Sequence, residues 1–299
     1  MERINSQTIL SKRRSKQRKQ KLVRGVAIVL ALMVIWKFFG SAVTWIRQWQ
    51  SDEVYDVSAE NMSVHSEKEK APKKFSEAQI TNELKRLSKK NQTYESIYNN
   101  RAKYPTVLLR SLCNNSEMLN FVAGYLTADK SAHGELTKKE CEGKIPLLLQ
   151  WDRRWGYVSY GSSDIGLSGC APTCLSMVIV GLTGNRNATP DKIAEYAQEN
   201  GYYLKGTGTS WSLLTEGASY LGVEGREISL SKQTALQQGQ PIICSVGSGD
   251  FTTEGHFIVL TGMKYGKIKV NDPNCIRRSC LWDYEVLEPQ IKNLWAYCR

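Results

Sequence analysis

A cysteine stands directly after a glycine, at the mouth of an apolar run, in Gly169-Cys170-Ala171-Pro172-Thr173-Cys174-Leu175-Ser176-Met177. The apolar spacing is helical and Pro172 suits a first turn, so the run predicts a helix over 170–182 that begins with a thiol. Further along, Gly255-His256-Phe257-Ile258-Val259-Leu260 reads as a strand, and Asn271-Asp272-Pro273 closes another. Helices come first and antiparallel strands later, which predicts an α+β fold. A thiol is a poor nucleophile until it ionises, and a helix N-terminus with a histidine nearby favours the thiolate. Cys170 meets the first condition. Cys174 and Cys244 lie inside apolar runs and read as buried, structural cysteines.

The sequence holds three histidines: His65, His133 and His256. His256 alone sits in an apolar strand, where the bland alternative is a structural histidine. A hairpin centred on Lys264 would set His256 opposite Asp272, with side chains ~5 Å apart on one face. The carboxylate would then orient the imidazole and stabilise its protonated form. Asn271 would point to the other face, and it stands as the alternative if the turn is centred one residue away. A developing oxyanion needs donors. The Cys170 N–H is one, and Gln150, just before Trp151, is the upstream side-chain candidate or else an ordinary loop residue. Gly206-Thr207-Gly208-Thr209-Ser210 lacks the Lys-Ser/Thr of a phosphate loop and reads as a cleft wall. Ser176, Ser210 and Ser245 have no nucleophile-elbow pattern, and no Cys/His cluster has zinc-finger spacing, so no metal or cofactor is expected.

The net charge of +11 would suggest nucleic acid, but 8 of those charges sit in residues 1–24, which hold nine Lys/Arg and one Glu. The basicity belongs to a tail, and nucleic-acid binding is not expected. The span Gly25–Ile46 that follows is apolar apart from Lys37 and is long enough for one membrane-crossing helix, which needs ~20 residues. The basic flank predicts a cytoplasmic tail and an extracellular C-terminal region, a single-pass cell-membrane protein. Cleavage near Gly40-Ser41-Ala42 as a signal peptide is the alternative. Residues 47–75 read as a polar stalk, and 76–143 as a helical subdomain with no catalytic signature. In that subdomain Ser76 begins a capping box, Pro105 restarts a helix, and Asn115-Ser116-Glu117 caps another. Residues 144–299 follow as the C-terminal domain: helices at 170–182, 190–200, about 211–221 and 231–238, then strands at 241–246, 256–263 and 267–271. Thr189-Pro190 supplies a cap and first residue. The eight cysteines fit an exported domain, with a Cys275–Cys280 bridge expected and Cys113, Cys141 and Cys298 as further partners of unassigned connectivity.

The series Pro146-Leu147-Leu148-Leu149-Gln150-Trp151-Asp152, Trp155-Gly156, Ser168-Gly169-Cys170-Ala171-Pro172-Thr173, Gly206-Thr207-Gly208-Thr209-Ser210-Trp211, Gly255 to Gly262, Asn271-Asp272-Pro273-Asn274 and Gln290 to Tyr297 resembles the stand-alone C-39-like peptidases of Gram-positive bacteria. These are relatives of the bacteriocin-leader-processing peptidases. The resemblance covers half of the chain. It implies a papain-like cysteine peptidase fold over 144–299 and a peptide or protein substrate, with Cys170, His256 and Asp272 matching nucleophile, base and orienting residue. There are departures. The leader-processing relatives carry a Gln where this chain has Asp164, six residues before the cysteine. No fused transporter is present, so cleavage after a double glycine is not carried over. Two other functions compete: a cell-wall peptidoglycan amidase or endopeptidase of related fold, and a catalytically silent binding module. The presence of both nucleophile and base weighs against the second.

Overall fold

The computed structural model describes residues 70–142, 144–206, 208–229 and 239–299. The expected basic tail, the span 25–46, most of the stalk and the helix expected over 231–238 lie outside these residues. Among the described residues, no helix is long and apolar enough to cross a membrane.

The first helix, Glu77–Ser88 (α1), starts at a reciprocal capping box in which Ser76 and Gln79 satisfy each other's backbone N–H groups. Its Ile80, Leu84 and Leu87 share one stripe and are buried. Helices Gln92–Asn99 (α2), Thr106–Asn114 (α3) and Leu119–Gly124 (α4) complete the helical segment. Before α4, Asn115 caps a short 3-10 turn, Ser116–Met118, by accepting from the Glu117 N–H. The chain then enters a short helix, Ile165–Ser168 (α5), and a long one, Cys170–Thr183 (α6). Helix α6 ends at Gly184, whose φ of 71° is the left-handed conformation a C-terminal stop requires. Pro190–Glu199 (α7) begins at Thr189-Pro190 as expected, although the Thr189 side chain makes no cap hydrogen bond. Glu216–Tyr220 (α8) and Tyr284–Leu287 (α9) are short.

Two small hairpins, Ser159–Tyr160 with Ser163–Asp164 (β1, β2) and Tyr203–Leu204 with Gly208–Thr209 (β3, β4), flank the helices. The main sheet is antiparallel, formed by Glu224–Ile228 (β5), Ile242–Val246 (β6), His256–Lys264 (β7), Lys267–Asn271 (β8), Leu281–Trp282 (β9) and Ile291–Cys298 (β10). Its order is β5-β10-β6-β7-β8-β9. All five residues of β6 are buried, as befits a strand between two layers. One edge strand, β5, carries Glu224, Arg226 and Glu227, charges that discourage edge pairing. On one side of the sheet, Ile243, Val259 and Trp295 pack with α6 residues and with Ile80, Leu84 and Leu108 from the helical segment. Cys244, Ile258 and Leu260 belong to a second cluster with Val270 and Trp282.

The β7–β8 hairpin corrects the expected register. It turns on Tyr265-Gly266, not on Lys264, with φ values of 54° and 73° between the paired Lys264 and Lys267. Two positive φ values are what a tight two-residue hairpin turn of the right twist demands. Between Leu260 and Gly262 the register then shifts by one residue, and Gly262 adopts φ 150°. This β-bulge takes up one extra residue of β7.

Candidate active site

Cys170 opens α6, and the preceding turn fixes where it opens. Asp164 accepts from the Leu167 N–H at 3.0 Å to cap α5, and its other oxygen accepts from the Tyr125 hydroxyl at 2.8 Å. The position filled by Gln in the leader-processing relatives is therefore a helix cap in this chain. Gly169 joins α5 to α6 so tightly that a Cβ there would lie 2.7 Å from the Ile165 carbonyl oxygen. That contact requires a residue without a side chain.

Cys170 is part-exposed, while Cys174 and Cys244 are fully buried. Burial pushes the Cys174 and Cys244 thiols up, and raises Cys113 to about 12. These three are held as protonated packing groups. Cys275 is likewise a buried thiol raised by desolvation, and it is not bonded to Cys280, so the expected local bridge is not formed.

His256 begins β7 opposite Val246 and is 7% exposed. Its Nε2 lies 2.7 Å from Oδ1 of Asp272, which is 0% exposed. That bond occupies Nε2 and leaves the other ring nitrogen, Nδ1, for a second partner; Cys170 is near enough to help raise the His256 pKa. Burial alone would lower the His256 pKa, but the Asp272 charge and hydrogen bond, with a smaller contribution from Cys170, outweigh it and raise the value. The protonated ring is thus favoured between two groups that carry or can carry negative charge.

Asp272 and Asn271 take opposite directions. Asn271 pairs with Val259, three residues from His256 and so on the other face of β7. Its amide donates to the Pro146 carbonyl at 3.0 Å, beneath α6. Asp272 lies one residue past the strand and turns to His256, though not directly opposite it as the Lys264-centred hairpin would have placed it. Its Oδ1 also accepts from the Asn274 N–H at 2.8 Å, an Asx turn around Pro273. Ser279 fixes its backbone: Oγ accepts from the Asp272 N–H at 2.9 Å and donates to the Cys275 carbonyl at 2.8 Å. The Asp-Pro-Asn sequence signals the Asx turn; nothing in the sequence marks Ser279.

Gln150 is 4% exposed and sits at the same place. Its backbone N–H donates to the Pro273 carbonyl at 2.8 Å, and its Nε2 donates to the Gly166 carbonyl of α5 at 3.0 Å. It therefore bridges the Asp272 turn and the α5–α6 corner. Thr209 Oγ1 is 2.7 Å from the Tyr160 hydroxyl, and Tyr160 lies within electrostatic reach of Cys170. Trp211 is 49% exposed and meets Trp295 edge-on at 5.2 Å. Among the described residues, no group of three or more His, Cys, Asp or Glu is placed to hold a metal ion.

A family model described as the Peptidase_C39 like family matches residues 143–297. No curated protein matches the chain. Among solved structures, the crystal structure of a Bacillus anthracis protein assigned as a C39-like peptidase is 14% identical, over 53% of this chain and 96% of that one. Its TM-score of 0.35 is too low to carry structural weight.

Proposed function

The chain belongs to the Peptidase_C39 like family, and from that premise we propose that it is a cysteine peptidase using Cys170 as nucleophile, His256 as acid–base and Asp272 as orienting group. The observation that carries this reading is the 2.7 Å bond from His256 Nε2 to Asp272, which leaves Nδ1 as the ring nitrogen that can serve a thiol at the start of α6. In the first half-reaction Nδ1 holds the thiol proton. The Cys170 sulfur attacks the peptide carbonyl carbon, and the carbonyl electron pair moves to oxygen. Backbone N–H groups at the start of α6 lack intrahelical partners and can donate to that oxyanion. Gln150 Nε2 spends one hydrogen on Gly166 and has a second for the same purpose. Collapse breaks the C–N bond, and the amine leaves with the proton from Nδ1. In the second half, His256 takes a proton from water, the hydroxide attacks the thioester, and the Cys170 thiolate departs.

The span 25–46 and its basic flank support a single-pass anchor with the catalytic region outside the cell. The deciding experiment incubates the detergent-solubilised full chain, wild type and Cys170→Ala, with a peptide library and in parallel with purified peptidoglycan. Peptide cleavage by the wild type and none by Cys170→Ala is the expected result. Cleavage confined to peptidoglycan would move the substrate to the cell wall, and turnover by Cys170→Ala would sink the mechanism.

A further inference from the structure

The helical segment contributes no reacting group, yet two of its side chains grip the turn that carries Asp272. The Asn274 N–H is the second donor to Asp272 Oδ1. The Asn274 carbonyl accepts from Asn115 Nδ2 at 2.6 Å and from Trp151 Nε1 at 2.9 Å. The next free N–H groups, of Ile276 and Arg277, donate to the Glu117 carboxylate at 2.8 and 3.1 Å. Glu117 has an 11% exposed side chain and Asn115 is 2% exposed, so both act away from bulk water. They belong to a single cap, because Asn115 Oδ1 accepts the Glu117 N–H at 3.0 Å. Hydrogen bonds to a carboxylate are about twice as strong as neutral ones, and removing the acceptor strands two N–H donors. The exposed Arg277 guanidinium, 3.6 Å from Glu117, adds little in comparison.

We propose that Glu117, together with Asn115, is a positioning residue for the reaction: the helical segment holds the 274–277 turn, and the turn holds Asp272 against His256. The proposal rests on the reading of Cys170, His256 and Asp272 given above. It assigns to residues before the family-matched region a part in catalysis that the matched region does not supply by itself. When the clamp is lost, the Asn274 N–H drifts from Asp272, the carboxylate rotates, and the imidazolium loses its fixed partner. Neither Glu117 nor Asn115 is among the proposed reacting groups, so the loss is expected in kcat rather than in KM.

The test uses the full-length protein and follows iodoacetamide alkylation of Cys170 against pH by peptide mass spectrometry, with hydrolysis of a cleavable library peptide measured alongside. For Glu117→Ala the acid limb of the alkylation profile should move up by roughly one pH unit, with kcat down roughly 10-fold and KM unchanged, one unit being a tenfold change in the ion-pair population. Glu117→Gln keeps one acceptor oxygen and should fall between; if Glu117→Ala does not fold, this variant carries the test. Leu84→Ala, a core truncation in α1, calibrates stability loss and should leave the alkylation profile in place. A Glu117→Ala profile like the wild type, or an equal shift in Leu84→Ala, overturns the clamp while leaving the peptidase reading intact. Identical profiles for wild type and His256→Ala would instead overturn the Cys170–His256 reading, and the clamp with it.

Discussion

His256 is the residue on which charge and position meet. It lies buried between Asp272 and Cys170, and its pKa is raised above the ordinary histidine value because those partners outweigh desolvation. A group raised in the folded state contributes stability that is complete below its unfolded value, about 6.5, and that is lost as pH rises through the raised native value. Asp272→Asn removes the main cause of that rise. The variant should be less stable than wild type by about 1.5–3 kcal/mol near pH 6, the range for a hydrogen bond to a charged group. The gap should close as pH is taken into the alkaline range. Thermal denaturation across pH reads this directly, and a gap that stayed constant or widened with rising pH would show that Asp272 does not bind a protonated His256.

At the scale of elements, the β7 bulge decides which side chain meets His256. The two-residue turn at Tyr265-Gly266 sets a register in which, without a bulge, Asn271 would stand opposite Leu260 and share the His256 face. The extra residue before Gly262 restores the alternative, with Asn271 opposite Val259 and Asp272 free to turn to His256. A one-residue slip moves every side chain of a strand to its other face. Gly262 holds φ 150° with open space around its missing Cβ, so a branched residue there strains the backbone rather than clashing. Gly262→Val should cost about 1–3 kcal/mol of stability and most of the activity. If it does so by removing the bulge, adding Asn271→Asp should return part of the activity by presenting a carboxylate on the swapped face. Failure of the double variant to recover any activity, with its sheet intact, would count against control by the bulge.

For the whole molecule, the helical segment and the C-terminal region share one continuous apolar cluster, from Ile80 and Leu108 through Trp151 and Trp155 to Val259 and Trp295. Arg154 strengthens the join: it is 5% exposed and pairs with Glu140 at 2.7 Å and Asp152 at 2.8 Å. With three hydrogen-bonded charges buried together, removal of either carboxylate would leave the guanidinium underpaired. The helical segment and the C-terminal region are thus joined through a shared core and a buried ion cluster. Protease shaving of intact cells should remove an epitope at the C-terminus and spare one in residues 1–24. A C-terminal epitope digested only after lysis would reverse the orientation proposed from the basic tail, and a mature form beginning near Ala42 would replace the anchor with a cleaved signal.

Local physics was written plainly in the sequence. Ser76 with Gln79 announced a capping box and Thr189-Pro190 opened α7, because caps act within a few residues. The apolar run after Gly169 likewise placed Cys170 at a helix start, and the short apolar stretches 256–263 and 267–271 read as β7 and β8. The strands β5 and β10 were not legible: one is a charged edge and the other mixes Lys292 and Asn293 into its apolar run, so neither shows a clean period. What only the tertiary structure decided is a matter of single-residue counts and distant partners. The bulge selected Asp272 over Asn271, a choice that one extra residue inverts. Gln150 was tied to Pro273 and Gly166, and Glu117 to a turn 159 residues away. Such side-chain-to-backbone bonds across the fold have no periodicity and no short-range motif, so they take shape only when packing brings the partners together.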